Sequence, residues 1–155
     1  MYQLKSGSKL KIEWGRPLVS RADGELSKAF DCGVGAELTK IRRRLCGGEN
    51  GACAVLCDVY FSKELSAKNV LAQQGQTLSQ YLEEALCIPC KVSNTEIQLV
   101  CADQVLSGMM GCALHAPLVR VFQTIKSRGR AVCVCRAYVG DACTLSLPGA
   151  SAIVL

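Results

Sequence analysis

Between residues 9 and 14, Leu10, Ile12 and Trp14 alternate with Lys9, Lys11 and Glu13. That two-residue period predicts a strand with one buried face. Gly15, Arg16 and Pro17 break it. A helix is predicted from Glu25 after an Asp23 cap, bent or interrupted at Gly33 and Gly35. It resumes over 36–45, where Leu38, Ile41 and Leu45 form one apolar stripe, and stops at Cys46-Gly47-Gly48. Residues 52–61 are apolar on both alternating faces apart from Asp58, the pattern of a central strand covered on both sides.

Two helices are expected next. One spans 66–74 and closes at Gly75. The other spans 77–86, with Thr77 and Gln80 in capping-box spacing and Leu78, Tyr81, Leu82 and Ala85 on one face. A hairpin is expected from 91–92 and 96–101 around Ser93-Asn94-Thr95, with Ile97, Leu99 and Cys101 sharing a face. Residues 104–112 are apolar and rich in Gly and Met. Pro117 then starts or kinks a helix carrying Leu118, Val119, Phe122 and Ile125, ending in the basic stretch 126–130. Residues 131–139 form a second long strand with 144–147 as its hairpin partner. Pro148-Gly149 precedes a short apolar end at 153–155. The order β-α-β-α-α-β-β-α-β-β predicts a mixed α/β (α+β) fold, a mixed or antiparallel sheet with helices packed on it, as one globular domain over 1–155. No internal repeat and no separating linker is evident.

A length of 155 residues, half of them hydrophobic, suffices for a core without staples. With aromatics at only 5%, that core must use Leu, Val, Ala, Ile and Cys. The eleven cysteines are odd in number, and several lie inside apolar strand patterns. The N-terminus has no apolar signal region and no stretch reaches the roughly 20 residues of a membrane span. These features predict mainly reduced cysteines and an intracellular location, cytoplasmic or nuclear. A net charge of +5 is compatible with an anionic partner without requiring one.

Cys87-Ile88-Pro89-Cys90 is the sharpest local motif. A thiol–disulfide centre would place it after a strand and at a helix start, whereas here it follows a helix and precedes a strand. The same pair with Cys112 and His115, spaced C-x-x-H, offers a zinc ligand set. The plainer reading packs Cys112 as a small apolar residue and places His115 at a helix end. His115 is the only histidine, so a Cys–His dyad would have to use it. No P-loop or dinucleotide fingerprint occurs, and no catalytic residue is nominated. The basic residues Lys40, Arg42, Arg43, Arg44, Lys126, Arg128 and Arg130 would form a phosphate or nucleic-acid patch if they converge.

With catalytic constellations weak, the leading expectation is a non-catalytic protein–protein interaction or scaffold module within a larger assembly, needing no cofactor. The alternative is a basic nucleic-acid- or phosphate-binding domain. A lesser alternative is a zinc-stabilised or thiol-redox domain built on Cys87 and Cys90.

Overall fold

A computed structural model describes residues 2–4, 11–47, 51–62, 77–85, 87, 89–141 and 143–145. Its strands are β1 (Tyr2–Leu4), β2 (Lys11–Trp14), β3 (Leu18–Arg21), β4 (Glu37–Gly47), β5 (Ala52–Phe61), β6 (Lys91–Cys101), β7 (Pro117–Ser127), β8 (Arg130–Val139) and β9 (Cys143–Leu145). The helices are α1 (Gly24–Phe30), α2 (Leu78–Gln80, continued by a π-turn at Tyr81–Ala85) and α3 (Gln104–Met110). A seven-stranded antiparallel sheet runs β2-β4-β5-β8-β7-β6, with β3 also on the outer edge of β4. The α+β class, a mainly antiparallel sheet with a few helices, is as the hydrophobic pattern predicts.

Several elements differ from that pattern. Residues 36–45 and the segment after Pro117 are the long strands β4 and β7, not helices. In β4, Ile41, Arg43 and Leu45 all point inward, and the buried arginine disguises the alternation. In β7, Leu118 and Phe122 are buried on one face and Val121 and Ile125 on the other, so no single period emerges. Residues 91–101 form one strand with a bulge between Val92 and Asn94 rather than a hairpin. β9 pairs with β1, not with β8. The helix expected at 66–74 and the segments at 148–149 and 153–155 lie outside the described residues.

The chain is also internally duplicated, which corrects the expectation of no repeat. At one constant offset Ala22, Asp23, Leu26, Ser27, Cys32, Ala36 and Leu38 match Ala102, Asp103, Leu106, Ser107, Cys112, Ala116 and Leu118. These identities build the same unit twice. Asp23 Oδ1 accepts from Glu25 N and Leu26 N, and Asp103 Oδ1 accepts from Leu106 N, capping α1 and α3. Ser27 Oγ donates to Cys32 O and Ser107 Oγ to Cys112 O. Ala22 N donates to Ala36 O and Ala102 N to Ala116 O, each at 2.8 Å. Both units place a bulge at the same point, after Leu45 and after Ile125.

The two units join where β5 pairs antiparallel with β8, around the Asp58↔Arg136 pair. Each helix therefore crosses to the other unit, α1 packing on β8 and α3 on β5. One sheet face carries both helices over two clusters. One contains Leu26, Leu38, Tyr60 and Phe122, the other Leu56, Met110 and Leu118. The opposite face holds the largest cluster, with Val55, Val59, Val121, Ile125 and Val139 beneath Leu78, Tyr81 and Leu82 of α2. Where β2 gives way to β3, Gly15 N donates to Arg42 O at 2.7 Å, and a Cβ on Gly15 would stand only 3.1 Å from that oxygen.

Candidate functional site

The basic run on β4 is divided between the two faces by the pleat of the strand. Lys40 and Arg42 lie on the helix-bearing face. Arg42 makes a bidentate pair with Asp58 at 2.7 and 2.8 Å, and Lys40 stands 3.8 Å from the same carboxylate. The hydrogen bond to Asp58 holds the Arg42 guanidinium above its ordinary pKa. The neighbouring Cys53 raises the pKa of Arg44 too. On the same face Arg136 reaches Asp23 at 3.0 Å and Glu25 at 2.7 Å, and Arg120 also pairs with Glu25. Burial pushes the neighbouring Tyr60 phenol up to about 12, so it stays neutral.

Arg43 faces the other way. The residue is 1% exposed, and among the described residues neither Nε nor Nη1 has a hydrogen-bond partner. The guanidinium carbon lies 4.7 Å from the Trp14 ring centroid. Trp14 in turn packs against Tyr81 of α2 at 5.4 Å, and Tyr81 against Phe61 at 5.7 Å. Stacking on an aromatic face accounts for part of the stabilisation of a buried cation, but not for two orphaned donors. The duplication supplies an internal control. The residue equivalent to Arg43 is Gln123, also buried, and its Nε2 donates to Thr95 Oγ1 at 3.1 Å. Thr95 occupies the register position of Trp14. One half of the sheet satisfies its buried polar residue internally, and the other leaves a cation waiting.

Three thiols lie on this face, in the same cluster as Trp14 and Tyr81. Cys133 and Cys135 sulfurs are 3.8 Å apart, and Cys57 stands opposite Arg43 in the ladder. Burial pushes the Cys57 and Cys135 thiols well above their ordinary pKa, with Arg43 pulling back in both cases. They remain protonated and act as small apolar groups, as the sequence implied for most cysteines.

The remaining residues expected to carry function are scattered. Arg128 and Gly129 are the positive-φ tip of the β7–β8 hairpin, the conformation a two-residue turn demands. Lys126 and Arg130 line a cleft of about 750 Å³ with Lys28, Asp31, Glu37 and Ser62, and no β4 arginine contributes to it. The basic residues therefore form no single patch. Cys87 is exposed and Cys90 half-buried between the helix end and β6. Cys112 lies just beyond the αL cap of α3, at Gly111. His115 has φ 63, its N–H bonded to Ala102 O at 2.8 Å, where the other unit has Gly35 N bonded to Ala22 O. It is a turn residue. Among the described residues no group of three or more His, Cys, Asp or Glu converges as a metal site, so Cys87, Cys90, Cys112 and His115 do not come together.

The UTRA domain family matches residues 5–141, and the chain belongs to that family. Solved structures share the fold. The PhnF C-terminal domain superposes with a TM-score of 0.75 at 19% identity, over 90% of this chain and 89% of that one. The effector domain of PhnF from Mycobacterium smegmatis gives 0.67 at 13%, over 88% and 83%. The ligand-binding domain of a protein assigned to the GntR family of transcriptional regulators, from Bordetella bronchiseptica, gives 0.65 at 16%, over 97% and 92%. None of the curated proteins compared with the chain matches it. Membership of the UTRA family overturns the expectation of a protein-interaction scaffold. That expectation rested on the lack of catalytic motifs, which a ligand-binding domain also lacks. Among the described residues no helix is long and apolar enough to cross a membrane.

Proposed function

We propose that this domain senses a small anionic effector inside the cell and passes its occupancy to a DNA-binding partner domain; the solved structures it resembles include an effector domain and the ligand-binding domain of a protein assigned to a family of transcriptional regulators. The observation that carries this reading is Arg43, a guanidinium 1% exposed with two nitrogens unsatisfied. Taking an unpaired cation out of water costs several kcal/mol, a penalty that an incoming carboxylate, phosphate or sulfate group offsets. Arg suits this task because its planar fork matches an oxyanion with two parallel hydrogen bonds.

The surroundings of Arg43 set the rest of the preference. Trp14, Tyr81, Cys57 and Val121 share its cluster or ladder position, and Asp58, the acidic residue of β5, faces the opposite side. Helix α2 stands over this face through Leu78, Tyr81 and Leu82, all buried. Its capping box is fully formed, Thr77 N donating to Gln80 Oε1 at 2.9 Å and Gln80 N to Thr77 Oγ1 at 3.2 Å. The π-turn that follows is an element frequent at functional sites. An effector reaching Arg43 would meet this segment, so α2 is the element whose position reports occupancy.

The test is anion-dependent thermal stabilisation at constant ionic strength, with chloride as the reference and phosphate, sulfate and acetate as probes. Wild type gains stability from at least one oxyanion, and Arg43→Gln gains none. Gln is chosen because the equivalent position, Gln123, shows that the fold accommodates it. Equal stabilisation of both proteins would refute the assignment.

A further inference from the structure

The helix-bearing face carries a second pair of cysteines, remote in role from Arg43. Cys46 of β4 and Cys53 of β5 are direct partners in the antiparallel ladder, immediately past the β4 bulge. Both side chains point into the cluster beneath α3, at 6% and 7% exposure, and both are free thiols. Cys53 Sγ donates to Val55 O at 3.3 Å. The Cys46 thiol faces Glu13 Oε2 at 3.9 Å.

We propose that Cys46 and Cys53 are an oxidation site, closing to a cross-strand disulfide when the protein meets a hydroperoxide. Directly opposed residues of an antiparallel ladder have Cα atoms about 4.5–5.5 Å apart, within the 4.4–6.8 Å that a disulfide spans. Cys133 and Cys135 make an instructive contrast. They are two residues apart on one strand, so their Cα separation is about 6.6 Å, at the outer limit for a bridge. They are also wholly buried, whereas Cys46 and Cys53 keep a little exposure.

The two sulfurs have different surroundings, which orders the steps. Cys53 is the more exposed of the two, at 7% against 6%, and is assigned the first attack. The Cys46 thiol is pushed up by burial, by Cys53 and by Glu13, against the pull of Arg44. Cys53 sulfur attacks the peroxide O–O bond, giving a sulfenic acid and one water from hydrogen peroxide. Cys46 sulfur then attacks the sulfenic sulfur, forming the S–S bond and expelling a second water. Two thiols and one hydrogen peroxide thus give one disulfide and two waters, both sulfurs being oxidised and the peroxide oxygens reduced. The bridge would pin β4 to β5 beside the bulge, three positions along the strand from Arg43.

Peptide mapping under non-reducing conditions tests this on the full chain. The protein is treated with hydrogen peroxide at low concentration, free thiols are alkylated, and digestion combines trypsin with a glutamate-specific protease that cuts between the pair at Glu49. The expected product is the Cys46 peptide joined to the Cys53 peptide with the loss of two hydrogens, reversed by dithiothreitol. In Cys46→Ser, Cys53 is expected to accumulate as a dimedone-reactive sulfenic acid instead. Exposed Cys87 and Cys101 give single-sulfur products and serve as internal references for reagent access. Alkylation of both Cys46 and Cys53 in peroxide-treated wild type, or a dominant bridge joining other cysteines, would overturn the proposal. The wild-type map decides the matter even where a variant folds poorly.

Discussion

Arg43 and His115 show how much a single residue's meaning depends on its backbone. In the sequence Arg43 reads as the middle of a basic run, and on a helix it would be solvated. On a strand it lies between Ile41 and Leu45 and is carried inward. Anion binding at Arg43 is carried forward as a proposal, but its isolation from Arg42 and Arg44 was not legible without the strand assignment. His115 reads as a helix-end residue or, alternatively, a metal ligand, and is a turn residue in the place of Gly35. A side chain in the left-handed region costs about 1 kcal/mol. His115→Gly is therefore expected to leave chemical-denaturation stability unchanged or raise it by up to ~1 kcal/mol, since added unfolded-state freedom offsets part of the gain. His115→Val should lower it by at least ~1 kcal/mol, because a β-branched residue tolerates that φ poorly. A loss of several kcal/mol in the glycine variant would show that the imidazole itself is structural.

At the scale of elements, short-range chemistry was legible and long-range burial was not. The caps at Asp23 and Thr77 and the strands over 52–61 and 131–139 follow from nearby residues, and all four are present. The misassigned strands β4 and β7 are buried on both faces along part of their length, where apolar residues at helical spacing occur without a helix. The duplicated caps also make a paired prediction. Asp103→Ala removes one N-cap and should cost about 1 kcal/mol, whereas Asp23→Ala also removes an Arg136 partner and should cost more. Burial acts to raise the Asp23 pKa, but hydrogen bonds from Leu26 and Arg136 outweigh it, and the folded pKa is lowered. A depressed carboxylate contributes stability above its unfolded pKa near 4 and loses it as pH falls through the folded value. Urea titrations below pH 4 should therefore show a decline that is shallower in Asp23→Asn. Parallel acid profiles for the two proteins would contradict the pairing with Arg136.

For the whole molecule, duplication explains why one domain has two chemically different faces. The joint at Asp58 and Arg136 gathers ion pairs onto the helix-bearing side, where Lys40, Arg42, Arg120 and Arg136 all pair with carboxylates. The opposite side is left for α2, the apolar core and one unmatched guanidinium. The repeat was written in the sequence as scattered identities, seven of them within residues 22–38 around the cap and turn, and was masked by divergence along most of the strands. Family membership overturns the scaffold expectation, and this asymmetry supports the ligand-sensing role proposed in its place. Calorimetric titration of inorganic phosphate into the wild-type chain and into Arg43→Gln tests that claim most directly. The expected result is one phosphate per wild-type chain and an affinity at least about tenfold weaker in the variant, the loss expected for a charge-assisted hydrogen bond, with the unliganded variant no less stable than wild type. Equal affinity in the two proteins, or a variant that fails to fold, would contradict it and return Arg43 to a purely structural role.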